Sequence, residues 1–173
     1  MNRVLIALAA LSLLACATPY QPRGGMGGFS ETQLDQNVFQ VRFAGNGYTS
    51  GERASDFTLL RSAELALERG YFWFIIVQSA QGTSLSTYTT PTQSYTTSSA
   101  TVVGDTAYGH STTTTYGGQT YVIQKPSTMN TIVCFRAKPE DIQAMVYNAQ
   151  FIHESLRHKY GLPLYANQEA PNR

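Results

Sequence analysis

From Thr83 to Tyr121 the chain runs for 39 residues with 20 Ser or Thr, five Tyr, a single acid (Asp105) and no Lys or Arg. Charge-driven disorder has a different composition. Thr and Tyr favour the pleated surface of a strand, so Gly82 to Gln124 predicts a long β-arm inserted into a domain. Tyr116-Gly117-Gly118-Gln119 offers a two-residue hairpin turn between Thr112–Thr115 and Thr120–Ile123, and the outer part, Thr87 to Ala107, is expected to be mobile. Tyrosine carries an apolar ring and a hydroxyl together. Tyr88, Tyr95 and Tyr116 are therefore candidate contacts for a protein or glycan partner, set against the plainer reading of a tolerated low-complexity insertion.

The flanking sequence supplies the folded body. Tyr71 to Val77, YFWFIIV, is apolar at every position, as a central strand covered on both faces would be. Before it, Phe39, Val41 and Phe43 alternate with Gln40 and Arg42 as a half-buried strand. Gly45-Asn46-Gly47 turns the chain, and Thr49 with Glu52 can form a capping box. A helix then runs to about Arg69 with Phe57, Leu60, Ala63 and Leu67 along one stripe, and Gly70 suits the left-handed residue that ends it. After the arm, Asn130 to Arg136 reads as a strand. Pro139-Glu140-Asp141 reads as the start of a second helix with the stripe Ile142, Met145, Val146, Ala149, Ile152 and Leu156, closed by Gly161 and Pro163.

The order β-α-β, arm, β-β-α predicts an α+β fold. Two amphipathic helices would pack on a small antiparallel or mixed sheet of about four strands, over residues 38–164 with the insertion at 82–121. A right-handed crossover follows if the β-α-β strands are parallel neighbours. Because YFWFIIV is apolar on both sides, either each face carries a helix or an aromatic surface that includes Trp73 is left for the arm, a second copy or a partner.

The N-terminus addresses a compartment. Met1-Asn2-Arg3 followed by an apolar run from Val4 to Leu14 is the layout of a secretory signal, too short for a spanning helix of about 20 residues. Leu13-Leu14-Ala15 before Cys16 matches the bacterial lipoprotein box, so residues 1–15 are expected to be removed and Cys16 to become the new N-terminus and carry the lipid, a diacylglycerol with fatty acids such as palmitate. Ala17 replaces the aspartate that retains enteric lipoproteins at the inner membrane, which favours the outer membrane, facing the periplasm. Residues 16–37 are rich in Pro, Gly and Gln and read as a flexible tether; 165–173 read as a polar tail. Losing Arg3 takes the 12 basic residues to 11 against 11 acids. The mature chain is then neutral, with no basic block for nucleic acid. An acylated Cys16 leaves Cys134 without an intramolecular disulfide, as a small buried hydrophobe in TIVCF.

Apparent catalytic signals dissolve on spacing. Gly45, Gly47 and Gly51 are spaced GxGxxxG, and no acid ends the second strand, so no dinucleotide site is expected. His153 and His158 lie five apart where a zinc-binding helix face needs four, and they read as a solvated face. No GxSxG elbow occurs. Arg53, Asp56, Arg61 and Glu64 could form a recognition face, but helical spacing makes Arg61 and Glu64, or Glu64 and Glu68, ordinary exposed neighbours. No catalytic, cofactor-binding or metal-ligating residue can be named.

The segment VRFAGNGYTSGERASDFTLLRSAELALERGYFWF, the lipoprotein box and the strand TIVCFRAK resemble a family of Gram-negative envelope lipoproteins without an established activity. The resemblance implies a periplasmic lipoprotein and carries no reaction over. The expected function is a membrane-anchored, non-enzymatic structural or protein-interaction role. The alternative is a carrier holding a small apolar ligand between helices and sheet.

Overall fold

A computed structural model describes residues 17–164. The expected signal at 1–15, Cys16 as the expected lipid attachment site and the expected tail at 165–173 lie outside the described residues. The elements are β1 (Gly28–Asp35), β2 (Val38–Ala44), α1 (Gly51–Glu68), β3 (Trp73–Thr89), β4 (Gln93–Val103), β5 (Thr106–Tyr116), β6 (Thr120–Phe135), β7 (Val146–Asn148) and α2 (Ala149–Lys159). They fall into two compact units, an arm of Leu85–Ile123 and a body made of the rest.

The expected α+β fold with about four strands is overturned: strands take 51% of the described residues and helices 20%. The body holds a five-stranded sheet ordered β1-β2-β6-β3-β7. Two of these strands come from segments whose sequence hid them. β1 lies within the expected tether and pairs antiparallel with β2 from Gly28↔Ala44 to Asp35↔Val38. Its sequence, GFSETQLD, carries one aromatic on the helix-covered side, so no apolar alternation announces it. β7 lies within the expected second helix and pairs antiparallel with β3, Phe74 opposite Tyr147. Asp141 adopts a positive φ of 62°, which breaks any helix begun at Pro139. Asn148 caps α2 instead, its side chain accepting from the Phe151 amide at 2.9 Å.

α1 starts one residue later than a Thr49 cap would place it. Ser50 accepts from the Arg53 amide at 3.1 Å, while the Thr49 hydroxyl accepts from the Thr18 amide at 3.0 Å. Gly70, at φ 75°, ends the helix as its sequence position suggests. β2 and β6 are antiparallel. Ser79 with Asn130 and Gly82 with Ser127 set β3 antiparallel to β6. The two strands joined by α1, β2 and β3, are therefore parallel but separated by β6, a split crossover rather than adjacent neighbours.

Both helices share one face of the sheet. Phe43, Ala54, Phe57, Leu60 and Leu156 form one buried cluster, with Tyr20, Phe29 and Tyr160 packed against it. Phe39, Val41, Ala63, Phe74, Ile132, Cys134 and Ala149 form the other. The opposite face of the β2–β6 pair has half-buried Val38, Met129 and Val133 and exposed Arg42.

The presumed tether is docked. Thr18 is fully buried, and its hydroxyl donates to the Met26 carbonyl and accepts from the Asn46 amide, both at 2.8 Å. The Tyr20 ring lies 4.9 Å from Phe29 and 5.2 Å from Phe57. Single aromatics among glycines carry this docking, and no periodicity reveals them.

Candidate functional site

The arm is a two-stranded ribbon, and its register sorts its side chains. β4 and β5 pair from Gln93↔Tyr116 to Val103↔Thr106, closing on Gly104-Asp105. Gly104 takes the positive φ that a tight hairpin needs, at 64°. The expected turn at Tyr116-Gly117-Gly118-Gln119 is not a turn between paired strands. β5 and β6 follow one another along the same side of the ribbon, and the two glycines, at φ 93° and 73°, bend that side against Pro91. A Cβ on Gly117 would sit 2.0 Å from the Pro91 carbonyl oxygen. Adjacent glycines with positive φ serve a reversal or a bend equally well, so the pattern alone could not choose.

Side chains alternate between faces. One face of the β4–β5 ribbon carries Ser94, Thr96 and Ser98 opposite Thr115, Thr113 and Ser111, the hydroxyls meeting at 3.0, 2.9 and 3.2 Å. These groups satisfy one another. The other face carries Tyr95, Tyr108, Tyr116 and His110 among threonines. Tyr95 is 71% exposed and Tyr116 66%. They lie on one face, one rung apart across the strands, within the diagonal reach of aromatic side chains. Tyr88, from the inner ribbon, is likewise exposed. Tyr108 and His110 were not singled out by sequence; their parity in the hairpin register is the signal that finds them.

Trp73 belongs to the body. It is half-buried on β3 opposite Asn148, with the Lys138 ammonium 5.5 Å from its ring. Arg136 lies over Tyr71 at 6.0 Å. Arg136, Lys138 and Tyr71 line an open groove of about 630 Å³ with Gln36, Asn37 and Cys134. Its lining is mostly polar. Between helices and sheet, where the alternative carrier reading would seat an apolar ligand, Phe57, Leu60, Phe43 and Leu156 pack together. Burial pushes the Cys134 thiol up to about 12.

The residues expected to be exposed neighbours on α1 are instead enclosed. Glu64 is buried, and its Oε1 accepts from Arg157 Nε at 2.9 Å and Nη2 at 2.7 Å. The Tyr20 hydroxyl donates to its Oε2, and Arg61 Nη1 approaches the same oxygen at 3.6 Å. Arg61 forks to Glu68 at 2.7 Å and Glu31 at 2.9 Å. Burial alone would lower its pKa, but the hydrogen bonds to Glu68 and Glu31 outweigh that and raise it. Burial, then the charge of Glu64, raises Tyr20. His153, expected on a solvated face, is buried with Nδ1 3.6 Å from Glu64 Oε1, and burial lowers its pKa despite the attraction of Glu64. His158 is exposed. Arg53 lies over Phe57 and Tyr160, and Asp56 accepts from Lys159 and the Tyr160 hydroxyl at 2.7 and 2.8 Å.

This cluster ties the N-terminal segment, β1, α1 and α2 together. Its carboxylate is saturated by internal donors, so its chemistry is that of a clamp. Gly45, from the GxGxxxG pattern, is demanded by close packing, since a Cβ there would meet Thr49 at 2.5 Å. No described helix is long and apolar enough to cross a membrane.

No protein-family model, curated protein or solved structure matches this chain.

Proposed function

We propose that this protein is a lipid-anchored, non-enzymatic component of the bacterial cell envelope, held at the outer membrane on its periplasmic side. Its Ser/Thr/Tyr hairpin engages an envelope protein or glycan. The observation that carries this reading is the sorting of the arm: Tyr95, Tyr108, Tyr116 and His110 share one exposed face, while the hydroxyls of the other face are occupied with each other. A merely tolerated insertion has no reason to segregate its rings. Rings with polar tips suit a contact surface that is apolar at its centre and hydrogen-bonded at its rim. An isolated two-stranded ribbon is at best marginally stable in water, so a partner that covers one face also orders it. The signal-like N-terminus and the lipoprotein box at Cys16 support the anchor, and the resemblance to envelope lipoproteins supports the compartment.

Replacing residues 85–123 by a short Gly-Ser turn in the full chain tests this in cells. The variant should remain anchored and folded and lose the crosslinked complexes that this reading expects of the full chain. An unchanged set of complexes would refute the role given to the arm.

A further inference from the structure

The β4–β5 ribbon has two open edges as well as two faces. We infer that the free edge of β4 pairs antiparallel with the same edge of a second copy of this chain, so that two hairpins become one four-stranded sheet. Backbone groups make this contact, and the side-chain faces stay free for the partner proposed above.

The hairpin register decides which backbone groups are free. Val103 and Thr106 flank the two-residue turn at Gly104-Asp105, and residues in that place exchange both of their backbone hydrogen bonds. Bonded and non-bonded pairs then alternate along the ladder. The amides and carbonyls of Ser94, Thr96, Ser98, Ala100 and Val102 therefore point away from β5. The hydroxyls agree: they meet across the hairpin at Ser94, Thr96 and Ser98, at 3.0, 2.9 and 3.2 Å, as suits non-bonded pairs, whose side chains approach more closely. β4 and β5 form a sheet of two strands, and all of β4 is exposed, so the outward groups face solvent.

Charge and shape select the occupant. β4 reads QSYTTSSATVV, eleven residues without a charge, a proline or a glycine, and its pairing with β5 runs without a bulge. Free edges are ordinarily blunted by lysine, by proline or by a bulge; this edge has none of them. A strand laid antiparallel to its own copy sets like charges near one another wherever it has a charge, which destabilises the pairing. β4 has none, so it is complementary to itself. The other edge is less suited, because β5 contains Gly109 and glycine weakens a strand. With full overlap, the outward amides and carbonyls of the two copies form roughly ten hydrogen bonds. Two strands alone are marginal in water, and adding strands is what lifts a hairpin above that limit. A two-fold contact of this kind also closes on itself and builds no fibre. Its axis is normal to the sheet, so the tyrosine faces of both copies lie on one side.

Proline scanning of the two edges tests this in the full chain, purified in detergent under reducing conditions and followed by sedimentation velocity over a concentration series. Ala100 lies opposite Gly109, so Ala100→Pro removes one outward amide from β4 and Gly109→Pro removes its counterpart from β5. Proline is tolerated where the lost amide faces solvent, and a side chain at Gly109 meets nothing closer than the Ser99 carbonyl oxygen at 4.0 Å. The native chain and Gly109→Pro should dimerise alike. Ala100→Pro should weaken the dimer by about tenfold or more, because a symmetric contact loses the amide twice. Trp73 fluorescence in urea should be the same for all three, which separates a lost edge from a lost fold. A native chain that stays monomeric would overturn the proposal, and so would dimerisation that survives Ala100→Pro or is lost equally in both variants.

Discussion

Replacing Glu64 by Gln separates the two readings of the α1 surface. If Arg61 and Glu64 were exposed neighbours, their pair would contribute about 0.2–1 kcal/mol, and losing the charge would be almost silent. In the fold, Glu64 and Arg157 have side-chain exposures of 4% and 3% and share two hydrogen bonds, with Tyr20 on the second carboxylate oxygen. A glutamine keeps the shape but turns an amide donor toward guanidinium donors and removes the carboxylate charge that faces buried Arg157. Breaking one side of such a pair costs about 3–5 kcal/mol, a large fraction of the roughly 5–15 kcal/mol that holds a domain together. With a urea dependence of about 1.5–2 kcal/mol per molar for a body of this size, the midpoint should fall by about 2 M. Trp73, the single tryptophan of the chain, lies on β3 and gives the fluorescence signal. The pair Glu64→Leu with Arg157→Met should recover at least half of the loss, because apolar side chains of similar volume remove the unpaired charge. A loss below about 1 kcal/mol for Glu64→Gln, or no recovery in the double variant, would refute the clamp.

Other expectations follow from the same packing. Burial lowers His153 below its ordinary 6.5, so the unfolded chain takes up a proton that the native state resists; stability should be full above about pH 6.5 and decline as pH falls through that value, and His153→Gln should flatten that limb in urea titrations, an unaltered slope counting against it. Cys134, with its thiol raised to about 12 by burial, should react with a disulfide reagent at pH 8 only after unfolding, and rapid native labelling would contradict its placement. Gly27→Ala should cost about 1–3 kcal/mol, because the residue sits at φ 97° with a Cβ site 2.3 Å from Ala44; a silent substitution would mean that the N-terminal segment is a free tether after all.

The sequence showed its elements wherever burial followed a period. The alternation of Phe39, Val41 and Phe43, the stripe of Phe57, Leu60 and Ala63, and the terminating Gly70 could be read directly because each rests on local geometry. β1 and β7 could not be. Their pairing is decided by backbone hydrogen bonds to β2 and β3, and their side chains carry no pattern of their own. The clamp was hidden for a related reason: Arg61 and Glu64 look like a surface pair until α2 brings Arg157 and His153 over them and residues 17–36 bring Tyr20 and Glu31. In the arm, composition foretold strands, but the choice of turn between Gly104-Asp105 and Gly117-Gly118 set the register. That register is what places Tyr95, Tyr108, Tyr116 and His110 together.

The most direct measurement is photo-crosslinking in intact cells, with a photoreactive residue introduced in turn at Tyr95, Tyr108 and Tyr116, at Ser98 on the opposite face, and at His158 on the body. Discrete adducts with a molecule other than a second copy of this chain at the three tyrosine positions, absent at Ser98 and His158, are expected if the aromatic face of the hairpin grips a partner. Labelling that is equally diffuse at all five positions would contradict it.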